Sequence, residues 1–450
     1  MIHSVTRKRI TVVKRKNVAR PSLWTRIALS LLVDSLILAA GSTVAQDSKS
    51  TPPHSSTSKV SGSNGTENKQ DPSLMDGRDG RDLSVREFRP VQKVVLPDHT
   101  PRSARFPCVD VHTHFLFRQR GNRQALEDFV DTMDRNRIAV CVSLDGKLGS
   151  TLAEHHRFLT QSYPNRFLVF THLDWRGPGD SNRPETWACN RPGWPKLVAE
   201  QLADAKKKGL VSGVKFFKQF GLGHRNRDGS FIRIDDPRFD PIWKACGDLK
   251  LPVIIHTGDP AAFFDPIDPN NERWEELSRH PDWSFAAPEF PSRQALLDAR
   301  NRVIEKHPQT QFIGAHVAGN PENLKVVGQW LDQYPNLWVE FSSRISELGR
   351  QDREARKFLI RYQDRVLFGT DGPWPEKRLR AYWRFLQTFD ESFDYSEKDP
   401  PPQGLWRIDG VGLPADVLKK IYQQNAMRLL PKLRGMVAEV SQQWRERADE

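Results

Sequence analysis

Four short apolar runs in this chain end, between them, in five side chains able to hold a metal ion or carry a proton. His112 and His114 end the run that begins at Cys108. His256 closes Pro252-Val253-Ile254-Ile255, His316 closes Gln311-Phe312-Ile313-Gly314-Ala315, and Asp371 closes Val366-Leu367-Phe368-Gly369-Thr370. Runs of this length, bounded by Gly and Pro, predict buried strands rather than helices. Strand ends that carry His or Asp, repeated along one chain, are how a barrel of parallel strands gathers polar groups at its C-terminal rim.

The rest of the pattern agrees. Candidate strands fall at 107–112, 138–144, 166–172, 210–217, 252–256, 311–316, 336–341 and 366–370. Amphipathic stretches separate them at 122–136, 151–162, 195–208, 238–250, 293–307, 321–333, 350–362 and 375–388. Eight such alternations predict an α/β fold, a closed (β/α)8 TIM barrel with long βα-loop insertions, rather than an open sheet. The long insertions are 173–194, 218–237 and 257–292. The last is rich in aromatic residues and proline, as an ordered lid would be.

The net charge of +12 suggests nucleic acid until the charge is located. Residues 1–26 carry eight Lys or Arg and no acid; an apolar stretch interrupted by Asp34 follows, then small residues. This is the order of a secretory signal peptide, expected over 1–45, which implies export; left uncleaved it would anchor the chain to a membrane. Taking away those eight cations and Asp34 lowers the charge to +5, which gives no case for a nucleic-acid partner. No other segment approaches a membrane span, so no stable span is expected in the mature chain. Residues 46–105 read as a disordered linker and lead-in, 106–435 as the barrel and 436–450 as a C-terminal tail. Four cysteines (Cys108, Cys141, Cys189, Cys246) are too few for a disulfide framework.

Residues two apart on a strand point to one side, so His112 and His114 project together and can share one divalent ion. With His256, His316 and Asp371 in the order described, the sequence resembles the metal-dependent amidohydrolase superfamily, in its amidohydrolase-related, aminocarboxymuconate-semialdehyde decarboxylase-like branch. The resemblance covers about residues 107–431. It rests on Val109-Asp110-Val111-His112-Thr113-His114-Phe115, Ile255-His256-Thr257-Gly258, Ala315-His316-Val317-Ala318-Gly319, Phe368-Gly369-Thr370-Asp371 and a closing helix through Asn425-Ala426-Met427-Arg428.

The resemblance implies His112, His114, His256 and Asp371 as ligands of a divalent metal ion, with His316 and Asp371 as the catalytic groups that handle protons. One zinc suits this His-rich set; manganese or iron fits the same donors. Lys215, on the fourth strand, stands where two-metal members carry a lysine that bridges the ions; the alternatives are a rim lysine or a substrate binder. Arg344, after the seventh strand, could hold a substrate carboxylate by a two-point contact. Asp110 is expected to support the His pair from behind, His172 and Trp374 to line the pocket, and His155 and His156 to lie on a surface helix without a role. The function implied is hydrolysis of an amide, ester or lactone bond of a small molecule by metal-activated water. A non-oxidative decarboxylase or lyase on the same ligands is the alternative, and a non-catalytic binding barrel a third reading. Oligomeric state, monomer or homo-oligomer, stays open.

Overall fold

Hydrophobic strands covered on both faces belong to parallel sheets flanked by helices, and the chain contributes eight such strands to one sheet. The strands are β1 (Cys108–Thr113), β2 (Ile138–Ser143), β3 (Phe167–His172), β4 (Gly213–Phe216), β5 (Val253–Ile255), β6 (Phe312–Gly314), β7 (Leu337–Glu340) and β8 (Val366–Leu367). They lie in one sheet in sequence order, each parallel to the next. The last strand returns to the first: Val111 N donates to Phe368 O at 3.0 Å and Asp371 N to His112 O at 2.8 Å. A parallel bridge joins Thr113 to Gly372. The expected (β/α)8 barrel is thus present and nearly closed.

The computed structural model describes residue 91 and residues 93–449, apart from 120 and 150. The expected signal peptide and most of the expected linker lie outside the described residues. Within segment 38–96 the described residues carry no regular secondary structure. Among the described residues no helix is long and apolar enough to cross a membrane. All four cysteines are free and buried.

Helices α1 (Arg123–Asn136), α2 (Leu152–Thr160), α3 (Trp194–Lys207), α4 (Asp240–Asp248), α5 (Arg293–Lys306), α6 (Leu324–Gln333), α7 (Asp352–Arg361) and α8 (Glu376–Gln387) follow the strands in turn. Alternation along each strand sorts side chains into two layers. Val253, Ile255, Phe312, Leu337 and Val339 pack outward among the helices. Ile254, Ile313, Trp338 and Leu367 point into the barrel. Each such buried aliphatic or aromatic side chain contributes about 1.5–3 kcal/mol relative to exposure. The interior cluster continues into Leu433, Met436, Val437 and Val440 of α9 (Leu433–Asp449). The expected C-terminal tail is therefore largely a helix, and its apolar face packs against the barrel interior. A π-helical turn, Lys420–Gln424, precedes it, and Asn425 Nδ2 donates to Val366 O at 2.7 Å, tying this region to β8.

The 257–292 insertion is held in place, as a lid rich in rings would be. Its Arg273 is 1% exposed, donates to Glu276 at 2.8 Å and pairs with the buried Glu347 beyond β7. Closer to the rim, Gly314 and Gly319 allow contacts that no other residue would. A Cβ on Gly319, where φ is +66°, would lie 2.4 Å from the Thr257 carbonyl oxygen. Gly319→Ala should therefore destabilise the fold by about 1–3 kcal/mol through backbone strain and overpacking. A lower urea midpoint with an unchanged slope would show it; an unchanged midpoint would show that the Thr257 segment gives way freely.

Candidate metal centre

β1 ends inside the rim, so His112 on it and His114 directly after it are both buried, at 1% and 9% exposed. Their Nε2 atoms lie 3.2 Å apart. Asp371 Oδ1, delivered by the turn after β8, is 3.6 Å from His112 Nε2 and 3.5 Å from His114 Nε2. Two donor atoms on one tetrahedral ion with bonds near 2.1 Å are separated by about 3.4 Å, so the edges of this triangle have the length one ion requires.

The protonation pattern agrees. His112 Nδ1 donates to Glu340 Oε1 at 2.9 Å, and His114 Nδ1 donates to Asp145 Oδ1 at 2.8 Å. Both carboxylates are fully buried. With both Nδ1 atoms carrying the proton, neither Nε2 can donate to the other, and two lone pairs face each other. A cation between them turns that repulsion into coordination. Carboxylates behind ligand histidines fix tautomer and ring orientation in this way. Burial, and then the charge of Lys215, hold the His112 ring well below its ordinary pKa and so neutral. Burial alone would raise Asp371, but His112, Arg118 and His114 pull it well below the usual carboxylate range. His112 and Asp371 are therefore in the ionisation states a divalent ion needs.

His316 stands beside this group: one ring nitrogen falls within 4.8 Å of donor atoms of His112 and Asp371. Its backbone is unusual. His316, Val317 and Ala318 all have positive φ, at 56°, 57° and 53°, a left-handed turn that L-residues rarely adopt. Two bonds hold the turn: His316 N to Glu340 Oε1 at 2.9 Å and His316 Nδ1 to the Ser342 carbonyl at 2.8 Å. The carbonyl can only accept, so Nδ1 carries the proton and Nε2 is free to accept one. Burial, followed by His256, keeps this ring well below its ordinary pKa. Ser342 Oγ lies 2.9 Å from His112 Nδ1 and 3.0 Å from His316 Nδ1 and donates to Glu340 at 3.1 Å.

His256 lies against His316, ring centroids 4.3 Å apart. Its Nε2 is buried without a hydrogen-bond partner and sits 3.6 Å from Asp259 Oδ1. Burial lowers its pKa to about 4. Asp259 is held by Lys218 at 2.8 Å. Arg344 is 8% exposed. It donates to Ser343 O, and its charge acts on His316, Glu276 and Glu347. Lys215 is no rim lysine. It takes an inward position on β4 opposite His172, it is 1% exposed, and its Nζ has no hydrogen-bond partner.

Three expectations need correction or completion. Asp110 does not touch the histidine rings; it accepts from His112 N and from Thr370 N and Oγ1. His155 is buried, not on the surface, and its Nε2 meets Ser143 Oγ at 2.8 Å. The supporting carboxylates Glu340 and Asp145 escaped notice. Glu340 closes the apolar run Leu337-Trp338-Val339 just as the other site residues close theirs, and Asp145 follows Ser143-Leu144; the same rule applied to β2 and β7 finds both.

Two predictions follow from these burials. Asp145→Asn weakens the acceptor behind His114 and should lower metal affinity about 10–100-fold, read by chelator competition; unchanged affinity would remove Asp145 from the support of His114. Burial lowers Lys215 from 10.5 to about 8 against the pull of Glu340 and Asp371, which amounts to about 3 kcal/mol of destabilisation at neutral pH. Below pH 8 the folded and unfolded chains both carry the proton and the cost is full. It fades as pH rises from about 8 to 10.5, where the unfolded chain holds more protons. Lys215→Met should thus stabilise the metal-free protein at pH 7 and less so at higher pH, in denaturant titrations at both; an equal gain at both would point to packing rather than charge.

A family model for amidohydrolases matches residues 109–432. No curated protein matches the sequence. Among solved structures, the chain is similar to an uncharacterized TIM-barrel protein from Bordetella bronchiseptica, at 15% identity and TM-score 0.42, covering 72% of this chain and 99% of that one. A 2,6-dihydroxybenzoate decarboxylase complexed with 2,6-dihydroxybenzoate aligns at 15% identity and TM-score 0.44, with coverage of 72% and 99%. A probable 2-pyrone-4,6-dicarboxylic acid hydrolase from Acinetobacter baumannii aligns at 12% identity and TM-score 0.40, with coverage of 72% and 100%. The family match runs from β1 through every strand of the barrel and into the segment that precedes α9, and on that match the chain belongs to the amidohydrolase family.

Proposed function

We propose that the protein is a metal-dependent hydrolase that cleaves an amide, ester or lactone bond in a small molecule. The observation that carries this reading is the triangle of His112 Nε2, His114 Nε2 and Asp371 Oδ1, with edges of 3.2, 3.5 and 3.6 Å. These three residues would hold one divalent ion, zinc suiting the donors best and manganese or iron next. His256, whose buried Nε2 has no hydrogen-bond partner, is the fourth donor of this reading, on the side of His316. When bound, the ion supplies Lewis-acid activation of water and of the scissile carbonyl.

The chain's own groups do the rest. His316 Nε2 accepts a proton, because Nδ1 is committed to Ser342 O and burial keeps the ring neutral. The Glu340 carboxylate, accepting from the His316 backbone, keeps that ring in place without moving its proton. Asp371 stays anionic, and its second oxygen accepts from Ser343 Oγ at 3.1 Å, which sets its orientation. Phe117 and Phe217 pack against His114, with ring centroids at 5.7 and 5.9 Å, and restrict water on that side.

Replacing His112 or His114 by Ala should weaken zinc binding more than about 100-fold while leaving the barrel folded by circular dichroism. His316→Ala should retain the metal and slow turnover about 10²–10⁴-fold; loss of metal and turnover together would move His316 into the ligand set. Esters, lactones, amides and carboxylated aromatic acids are the substrates to screen. Release of CO2 without a hydrolytic product would replace hydrolysis by decarboxylation on the same residues.

A further inference from the structure

Arg118 lies in the short helix after β1, and Arg378 on α8. Their guanidinium carbons stand 3.9 and 3.4 Å from the centroid of the same Trp374 ring. Two planar cations cannot both centre on one face at that height, so they take opposite faces of the indole. Trp374 is itself fixed, donating Nε1 to Thr370 O at 2.8 Å, one residue before Asp371. Arg118 Nη2 donates to the Asp371 main-chain oxygen at 2.8 Å and stands 3.8 Å from Asp371 Oδ1. Its Nε is buried and has no partner. The stack therefore borders the histidine–aspartate cradle directly.

The charges in this corner do not balance. Among the described residues no ion pair joins Arg378 to an acid. The acids that act on it are Asp371 and Glu397, while Arg118 acts as a like charge. Glu397 is paired with Lys377 at 3.3 Å, and Asp371 already faces His112 and His114. Lys398 brings a further positive charge close to Arg378. Partly buried guanidinium groups are normally matched by carboxylates. Two are held here on one aromatic ring, Arg118 committed through Nη2 to a main-chain oxygen and Arg378 making no ion pair among the described residues, and planar guanidinium donors of this kind suit a planar or tetrahedral oxyanion.

We infer that Arg118 and Arg378, stacked on Trp374, form an anion subsite that takes a carboxylate or phosphate group of the substrate and sets the rest of it over the cradle. Its place in catalysis rests on the proposed hydrolase reading; its existence does not, because every residue in it belongs to the chain and needs no metal.

The test is isothermal titration of the metal-free full-length protein with benzoate and with inorganic phosphate at constant ionic strength, sodium chloride serving as the control. At least one probe should bind saturably and raise the melting temperature above the chloride control. Tighter binding of benzoate assigns the subsite to carboxylates, tighter binding of phosphate to phosphoryl groups. Arg378→Met and Arg118→Met should each weaken that binding at least about tenfold, as loss of a charged hydrogen-bond pair does, and Arg378→Lys should weaken it less. Wild-type binding no stronger than chloride, or full binding by Arg378→Met, would overturn the inference. If the Met variants do not fold, phenylglyoxal modification of the wild type decides: protection of Arg118 and Arg378 by the bound probe supports the subsite, and equal modification with and without probe refutes it. Metal retained by His114→Ala would sink the hydrolase reading and leave these results standing.

Discussion

The centre depends on one arrangement: two imidazoles whose Nδ1 protons are taken by buried carboxylates, so that their Nε2 lone pairs must meet. His112 is committed to Glu340 and His114 to Asp145. Neither carboxylate is available to solvent. A buried charge that lost its partner would be strongly destabilising, so the rings cannot easily turn away. What remains is a pair of facing acceptors 3.2 Å apart, a configuration that makes physical sense around a cation and little sense without one.

Glu340 does more than orient one ring. Its Oε1 accepts from His112 Nδ1, from His316 N and from Ser342 Oγ. The left-handed turn that presents His316 is costly for residues with a Cβ, and the bond to Glu340 is one of the contacts that hold it. The glycines that flank the turn have a matching purpose. A Cβ at Gly314 would fall 2.6 Å from that of Ala318, so the turn can fold back over the end of β6 only because Gly314 has no side chain. The orientation of the His112 ring and the turn that presents His316 thus share one buried carboxylate at the end of β7.

Much of this was legible in the sequence, for a stated reason. Parallel strands buried on both faces are short apolar runs with abrupt ends, so every strand and its following helix showed in the pattern, and so did the polar residues placed at four strand ends. What escaped was of two kinds. Glu340 obeyed the strand-end rule but was passed over, because a carboxylate matters here through the ring it faces and not through its spacing. The turn at His316 was invisible for a different reason: Ala315-His316-Val317-Ala318 has no glycine or asparagine at its positive-φ positions, so no local signal marks it, and only tertiary bonds to Glu340 and Ser342 specify it. His155 was misplaced because a helix with two adjacent histidines was taken as exposed, whereas only His156 turns outward while His155 bonds Ser143 across to β2.

Charge explains why the site needs this much support. Asp145, Glu340 and Asp371 gather around imidazoles that burial keeps neutral, so the cradle is acidic at its centre. Lys215 is the one buried amine among the described residues that faces it, and its pKa of about 8 shows that burial outweighs the attraction of those acids. A lysine in that state still carries its proton at neutral pH, though it holds it less firmly than an exposed one. Its charge balances part of the negative charge of Glu340, Asp371 and Asp145. An arginine there would hold its charge at every pH the protein meets, whereas burial already brings this lysine part of the way to neutrality. The inward position on β4 thus carries a buried amine whose charge is opposed by burial and favoured by the carboxylates around it.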